Sequence, residues 1–197
     1  MTLLGTLLRN QRARDARSAW NLPGLQGPDL LTVTSSRFEH GGTIPHEHAG
    51  KRVGGLDVSP DLTWSAPPPE TTALLLAVED LDAPILPTPA VHCLALIDPA
   101  RLDVAGHLPP GALSARAPAA GVRILRSTVG RGYHGPEPLK GHGPHRYTFE
   151  LFALTTEDGE ALAHGGAPID RARPRIVLSS ITAPVTARGR LTGVAER

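Results

Sequence analysis

The spacing of apolar and polar residues changes near residue 30, from the period of a helix to the period of β-strands. In a helical projection of residues 2–20, the apolar side chains share one face and the arginines mostly lie elsewhere. The apolar residues on that face are Leu4, Leu7, Leu8, Ala16, Ala19 and Trp20. The Asn-Leu-Pro-Gly sequence at 21–24 is a helix stop signal. The pattern predicts a helical extension over residues 1–25, followed by a second unit over residues 26–197.

Most segments after residue 30 have the alternation and composition of β-strands. Residues 73–78 and 91–97 are continuous apolar runs of strand length, which predicts two buried central strands. Residues 146–154 alternate, so Tyr147 lies on an apolar face while Glu150 lies on a mixed one. Weaker patterns predict further short strands at 31–35, 62–64 and 191–194.

Glycine and proline limit the helical content of the chain. They supply 21 and 20 of its 197 residues, which excludes a long helical bundle and suits many turns between short strands. Residues 169–187 have room for a helix whose length Pro174 and Pro184 restrict. The pattern therefore predicts one mostly antiparallel β-domain with a helix near each end.

Composition and charge exclude several functional classes. A formal net charge of +1 argues against a general nucleic-acid binder, and no apolar run reaches the ~20 residues that a membrane span needs. Cys93 is the only cysteine, so neither an intrachain disulfide nor a cysteine zinc site can form. Arginines follow the N-terminal leucines instead of preceding them, the reverse of a secretory signal, so we predict a cytoplasmic protein.

The residues that could carry chemistry lie at the ends of predicted strands. Asp80 and Asp82 directly follow one strand, and alternation sends them the same way, with Glu79 opposed. His145 precedes another strand, and His92 lies within an apolar run. A carboxylate that bonds one imidazole nitrogen orients the ring and leaves the other nitrogen for a ligand. These residues therefore predict a site at one end of the sheet.

Five segments together resemble the phosphatidylethanolamine-binding proteins, also called Raf kinase inhibitor-like proteins. In chain order they are Ser-Pro-Asp-Leu-Thr-Trp at 59–64, Asp-Leu-Asp-Ala-Pro at 80–84, His92, Gly-Tyr-His-Gly-Pro at 132–136 and Gly-Pro-His-Arg-Tyr at 143–147. Their order and spacing agree with that family over residues 30–197. The chain departs from the family at Leu81, where relatives have proline, and in a longer loop before Ser59.

The resemblance implies a mainly β fold, an antiparallel β-sandwich with a few peripheral helices and a small anion pocket at one end. In relatives this pocket binds phosphate-like groups, including the phosphoryl head of phosphatidylethanolamine, without a cofactor. Histidines held by aspartates would face the anion, so affinity should rise as pH falls through the range where histidine protonates. The residues expected to line the pocket are Asp80, Asp82, Pro84, His92, Gly135, Pro136, His145 and Tyr147.

The resemblance also suggests partners. Because relatives inhibit kinases or proteases, a kinase or protease partner is expected by analogy alone. A homodimer is predicted as well, since an amphipathic N-terminal helix must bury its leucines against something.

Other interpretations of the polar residues stay open. His46-Glu47-His48, with His40 nearby, suggests a metal site, but without other ligands in view a solvated loop is the better explanation. The pocket residues themselves suit a divalent metal or a hydrolase, but no activated nucleophile is evident, and Cys93 has the surroundings of an inert core thiol. A scaffold with a vestigial pocket, associating through its N-terminal helix, is the remaining alternative.

Overall fold

The computed structural model describes residues 3–156 and 169–197, and its architecture is built on two antiparallel sheets. The strands are β1 (Val33–Thr34), β2 (Leu62–Trp64), β3 (Ala73–Asp80), β4 (Ala90–Ile97), β5 (His107–Leu108), β6 (Val122–Ile124), β7 (His145–Leu154) and β8 (Val185–Ala195). One sheet has the order β6-β4-β3-β7-β8 and the other β1-β2-β5. Two short helices, α1 (Leu3–Leu7) and α2 (Pro174–Ser179), complete the mainly β fold that the sequence predicted.

The five-stranded sheet is buried on both faces, since its central strands are apolar at consecutive positions. One face packs against the three-stranded sheet, with Leu76 and Phe149 close to Trp64 of β2. The opposite face packs against the N-terminal extension and α2, in a cluster that includes Ala19, Leu25, Leu75, Phe152, Val177 and Leu178. The sheet is therefore the middle layer of the molecule, and the extension is part of the outer layer.

The central strands lie where the apolar runs predicted them, and β8 is longer than predicted. It was expected at 191–194 but begins at Val185, because it pairs with β7 over the whole length of that strand, from Leu154 to His145. The prediction of one mixed face for β7 was incomplete. Its polar face is also buried, with Glu150 fully enclosed beneath the N-terminal extension.

The prediction of one helix over residues 2–20 was wrong. Only Leu3–Leu7 is α-helical, and single 3-10 turns follow at Asp15–Arg17 and Ala19–Asn21. Leu3 and Leu7 are 91% and 77% exposed, so the leucines are not buried within this chain. A short isolated helix is marginal in water, and contacts with the sheet stabilise a more extended path instead.

The C-terminal helix is shorter than the 169–187 window. Helix α2 begins at Pro174, which suits a first helical position because that residue needs no N–H donor there. It ends at Ser179, and the chain then turns into β8 just after Pro184. Both prolines thus limit the helix, as the sequence indicated.

Candidate functional site

One end of the five-stranded sheet gathers the polar residues that the sequence singled out. Strand β3 ends at Asp80 and β7 begins at His145, and since these strands are antiparallel, Asp80 lies opposite Tyr147. The rings of His145 and Tyr147 stack with their centroids 6.3 Å apart. All three side chains are buried, so they occupy a sheltered corner rather than an open surface.

His92 reaches this corner through an irregularity in β4. Strand β3 pairs with Val91 and Cys93, and the register shift between these pairs leaves His92 without a cross-strand partner. Bulges of this kind re-aim a side chain and are frequent beside functional sites. Here the His92 ring meets Tyr147 edge-on, with ring centroids 5.2 Å apart.

A chain of hydrogen bonds links Asp80 to the protein surface through two histidines. Nδ1 of His145 lies 2.9 Å from Oδ2 of Asp80, and Nε2 of His145 lies 2.8 Å from Nδ1 of His142. Nε2 of His142 in turn lies 2.9 Å from the carbonyl oxygen of Gln11. Both ring nitrogens of His145 are therefore occupied by other groups of the protein.

The same chain fixes the positions of the two histidine rings. The Gln11 carbonyl only accepts, so Nε2 of His142 donates to it. The two rings are therefore held between the Gln11 carbonyl and the Asp80 carboxylate.

Two polar atoms in this corner have no partner in the described part of the chain. Nδ1 of His92 donates to the carbonyl of His134 at 2.9 Å, whereas no group bonds its Nε2. The Tyr147 hydroxyl is buried and has no partner at ordinary hydrogen-bond geometry among the described residues, although the Asp80 carboxylate and the Glu137 backbone lie near it. Burial, followed by the nearby charge of Asp80, raises the pKa of Tyr147, so its hydroxyl keeps its proton. Of these two atoms the Tyr147 hydroxyl is the fully buried one, and an unpaired buried polar atom calls for an explanation such as a ligand.

Asp82 has a different environment from Asp80. Its carboxylate accepts from the backbone N–H of Arg146 at 2.7 Å and from the Arg146 guanidinium twice at 2.9 Å. Arg12 pairs with it at 2.9 Å, and Asp15 pairs with the outer side of Arg146 at 3.2 Å. Burial raises the pKa of Asp82, but the hydrogen bonds and charge of Arg146 outweigh burial and hold it below its usual value. Asp82 thus anchors an ion-pair network instead of a histidine.

The glycine-containing loop at 132–136 is held by contacts within the protein. The backbone N–H groups of Tyr133 and His134 donate to carbonyls, and that of Gly135 donates to Asp57 at 2.8 Å. Gly135 also packs so closely that a Cβ there would lie 2.3 Å from the His48 carbonyl oxygen. These amides are therefore already in use and are not available as donors to an anion.

A cavity of about 130 Å³ adjoins His92. Its lining includes Gly135, His134, Glu137 and Arg52. Arg52 is exposed and comes from the long loop before Ser59, and its guanidinium makes no ion pair with any described residue. The cavity therefore brings the unpaired Nε2 of His92 near the Arg52 cation, and the Glu137 carboxylate on its lining would repel an anion.

Two larger cavities lie elsewhere. One of about 750 Å³ is at the opposite end of the sheet, beside Thr156, and one of about 310 Å³ lies behind Pro136. Neither contains His92, Asp80 or His145 in its lining. Pro84 is half-buried just beyond Asp82. Of the eight residues expected to line one pocket, only His92 and Gly135 line the cavity beside His92. Asp80, His145 and Tyr147 are buried at the same corner, Pro136 lines a separate cavity, and Asp82 lies in the arginine network.

The other candidate residues, His46, His48 and Cys93, bond or pack within the protein. His46 and His48 lie in a 3-10 turn, where Nε2 of His46 and Nδ1 of His48 are 3.1 Å and 2.8 Å from the carbonyls of Val53 and Val58. Within residues 3–156 and 169–197, no three His, Cys, Asp or Glu side chains are grouped to hold a metal ion. Cys93 is fully buried, and burial raises its pKa to about 12, as expected of an inert thiol.

Sequence reasoning missed two residues of this site. His142 lies directly before the Gly-Pro-His-Arg-Tyr segment, but only the structure shows that its ring bonds His145. Arg52 lies 40 positions before His92 in a loop of unusual length, and that length was the one available signal.

In the described residues no helix is both long and apolar enough to cross a bilayer.

Comparison with known proteins identifies the family. The family model described as phosphatidylethanolamine-binding protein matches residues 34–196. The chain therefore belongs to the phosphatidylethanolamine-binding protein family, as the five segments indicated.

Bacterial members of the family are similar in sequence and structure. UPF0098 protein Rv1910c of Mycobacterium tuberculosis is 33% identical over 137 residues, which span 68% of this chain and 59% of that relative. The UPF0098 protein of Aquifex aeolicus is 30% identical, over 79% of this chain and 80% of the relative. The crystal structure of Escherichia coli YbcL has a TM-score of 0.70 and 29% identity, covering 85% of this chain and 98% of YbcL.

Proposed function

We propose that this protein binds a small phosphate-bearing ligand, such as a phospholipid head group or a nucleotide-like molecule, beside His92. The observation that carries the proposal is Nε2 of His92, which has no partner among the described residues, in a cavity that Arg52 also lines and with the Tyr147 ring packed against His92. A phosphate group has several acceptor oxygens and suits a site with an unpaired donor and a guanidinium. Family membership supports the same class of ligand.

The size of the cavity favours a head group over a whole lipid. Drug-sized ligands occupy pockets of about 300–1,000 Å³. The cavity beside His92 measures about 130 Å³, so only the phosphoryl end of a larger molecule would fit. The rest of the ligand would then lie over the loop that carries Arg52. Modulation of a kinase or protease, a homodimer and a cytoplasmic location remain predictions.

The protonation of His92 determines how it would hold an anion. Burial lowers the pKa of His92 below its ordinary 6.5, although Asp80 opposes this, so the ring is neutral at neutral pH. Nε2 then carries a lone pair and accepts from a protonated phosphate oxygen. At lower pH it becomes a charged donor to the anion. We therefore expect phosphate affinity to rise as pH falls below 6.5, and a flat profile to alkaline pH would contradict this role of His92.

The chain's only two tyrosines provide a matched test of the site. We expect Tyr147→Phe to weaken phosphate binding about tenfold, because it removes an unpaired hydroxyl next to His92. Tyr133→Phe removes a buried hydroxyl that already bonds the His48 carbonyl, so it should leave affinity unchanged and cost about 1 kcal/mol of stability. Calorimetric titration of inorganic phosphate and phosphoethanolamine, with thermal unfolding of each variant, measures both effects.

The outcomes of this test separate the candidates. Equal phosphate affinity in the wild type and Tyr147→Phe would place the anion elsewhere. No binding of either probe by the wild type would overturn the proposal and favour the vestigial-pocket scaffold. Binding of phosphoethanolamine but not of inorganic phosphate would point to a lipid head group as the ligand class.

A further inference from the structure

His142 is hydrogen-bonded to the nitrogen of His145 that would otherwise be available to a ligand. Asp80 takes Nδ1 of His145, which leaves Nε2, and Nδ1 of His142 lies 2.8 Å from it. The two imidazole rings meet at an angle of 66° with centroids 4.7 Å apart. Since His142 is itself buried, its ring fills the space that an anion would need in order to reach His145.

Residues 11–20, here called the N-terminal strap, hold His142 in that position. The Gln11 carbonyl accepts from Nε2 of His142 at 2.9 Å. Beside it, Arg12 contacts both Asp82 at 2.9 Å and the carbonyl of Pro144 at 3.2 Å. Asp15 pairs with Arg146 at 3.2 Å. The strap thus bonds three residues of one segment, namely His142, Pro144 and Arg146.

The far end of the strap has a second, independent anchor. The backbone N–H groups of Ala19 and Trp20 donate to Glu79 at 2.7 Å and to Glu150 at 3.1 Å. The Trp20 ring also contacts two guanidinium groups of β8, those of Arg188 at 4.0 Å and Arg190 at 4.6 Å. The Trp20 end is therefore anchored by contacts separate from those of the Gln11–Asp15 end.

We infer that His142 is a further residue of the anion pocket, one that closes His145 to ligand while the strap is docked. When the Gln11 end leaves, His142 loses its buried acceptor, and its ring is free to turn away from His145. Gly141 and Gly143 flank it with φ of 83° and 104°, a backbone that suits such a rotation. Nε2 of His145, whose ring Asp80 holds in place, then becomes available to the anion.

This arrangement makes strap docking and anion binding compete. Because coupling between two binding events is reciprocal, an anion on His145 must weaken the docking of the Gln11 end by the same factor. The inference rests on the proposed phosphate site, and it adds that the site has a closed form in this chain. It also gives the N-terminal extension a role that requires no second subunit.

The test compares phosphate affinity in four proteins by calorimetry: the wild type, His142→Ala, the strap variant Arg12→Gln/Asp15→Asn and the control Arg14→Gln/Asp103→Asn. Each double variant keeps the net charge of the chain, and Arg14 lies on the strap without a contact to the site. We expect His142→Ala and the strap variant to bind phosphate about tenfold more tightly than the wild type and the control. Phosphate should also speed amide hydrogen exchange in residues 9–18 of the wild type.

Each outcome bears on one of the two proposals. Measurable binding with one shared affinity in all four proteins would overturn the closed form and leave the phosphate site intact. Absence of phosphate binding in all four would overturn the phosphate site and the closed form with it. If His142→Ala fails to fold, the strap variant still decides the question, because its substitutions lie on exposed side chains.

Discussion

Asp82→Ala is expected to destabilise the protein by about 2–4 kcal/mol, which would lower Tm by about 5–12 °C. The carboxylate is 2% exposed, receives three hydrogen bonds from Arg146 and forms an ion pair with Arg12. Its removal leaves the Arg146 backbone N–H without an acceptor and leaves the Arg146 guanidinium with Asp15 alone. Arg146 is 43% exposed, so water recovers part of that loss, and the cost stays below that of a fully buried pair.

The pH dependence of this loss has a definite sign. Because the folded-state pKa of Asp82 is held below 3.8, the carboxylate contributes stability above that pH and loses it as pH falls. The gap between the wild type and Asp82→Ala should therefore narrow in acid. Thermal unfolding at neutral and strongly acidic pH measures both the size of the gap and its narrowing.

Asp170→Ala is the matched control for burial. Asp170 also forms a two-pronged ion pair, with Arg123 at 2.9 Å and 2.8 Å, and its pKa is likewise lowered. Its side chain and that of Arg123 are 36% and 50% exposed, so we expect a loss of only about 0–1 kcal/mol. Equal losses in the two variants would show that burial of Asp82 is not what gives its network strength.

The sequence predicted the sheet well because its evidence is local. A strand that is buried on both faces must be apolar at consecutive positions, and β3 and β4 lie within two residues of the runs that predicted them. The N-terminal segment could not be predicted in the same way. Its helical periodicity is real, but backbone N–H groups of Ala19 and Trp20 bond carboxylates 60 and 130 positions away. Long-range partners of this kind leave no trace in local spacing.

The candidate site was partly predictable for the same reason. Strand ends and the family resemblance placed Asp80, His145 and Tyr147 at one corner of the sheet, and the structure places them there; their role in binding stays a prediction. The bonding partners were not predictable. Asp82 was expected to hold a histidine, yet it holds Arg146, which follows His145 directly in the chain. Alternation tells which way a side chain points, but not which neighbour it meets.

The second large effect is expected at the buried carboxyl pair beneath the strap. Glu79 and Glu150 are both fully buried on the face of the sheet opposite to Asp80. Glu79 is paired with Arg175, whereas Oε1 of Glu150 has no hydrogen-bond partner among the described residues. Burial, and then the charge of Glu79, raises the pKa of Glu150 well above 4.5. The folded protein therefore retains a proton that the unfolded chain releases.

This retained proton determines the direction of the pH effect. Folding stability from Glu150 is fully present below 4.5 and declines as pH rises toward the raised pKa, by at most about 1.4 kcal/mol per pH unit. Glu150→Gln keeps the shape of the protonated carboxyl at every pH and removes the decline. We expect this variant to match the wild type in acid and to exceed it by more than ~1 kcal/mol at alkaline pH.

Glu79→Gln provides the comparison, because burial raises the pKa of Glu79 as well, but the charge of Arg175 opposes that rise. It removes the charge that faces Arg175 and leaves that guanidinium without its buried partner, so the variant should be less stable than the wild type. Urea unfolding of the three proteins at acidic and alkaline pH measures these differences, and the contribution of His92 cancels in each comparison. A pH slope in Glu150→Gln as steep as that of the wild type would show that Glu150 is already ionised. The strap would then be docked on two charged carboxylates, with Arg175 and Arg190 supplying the balancing charge.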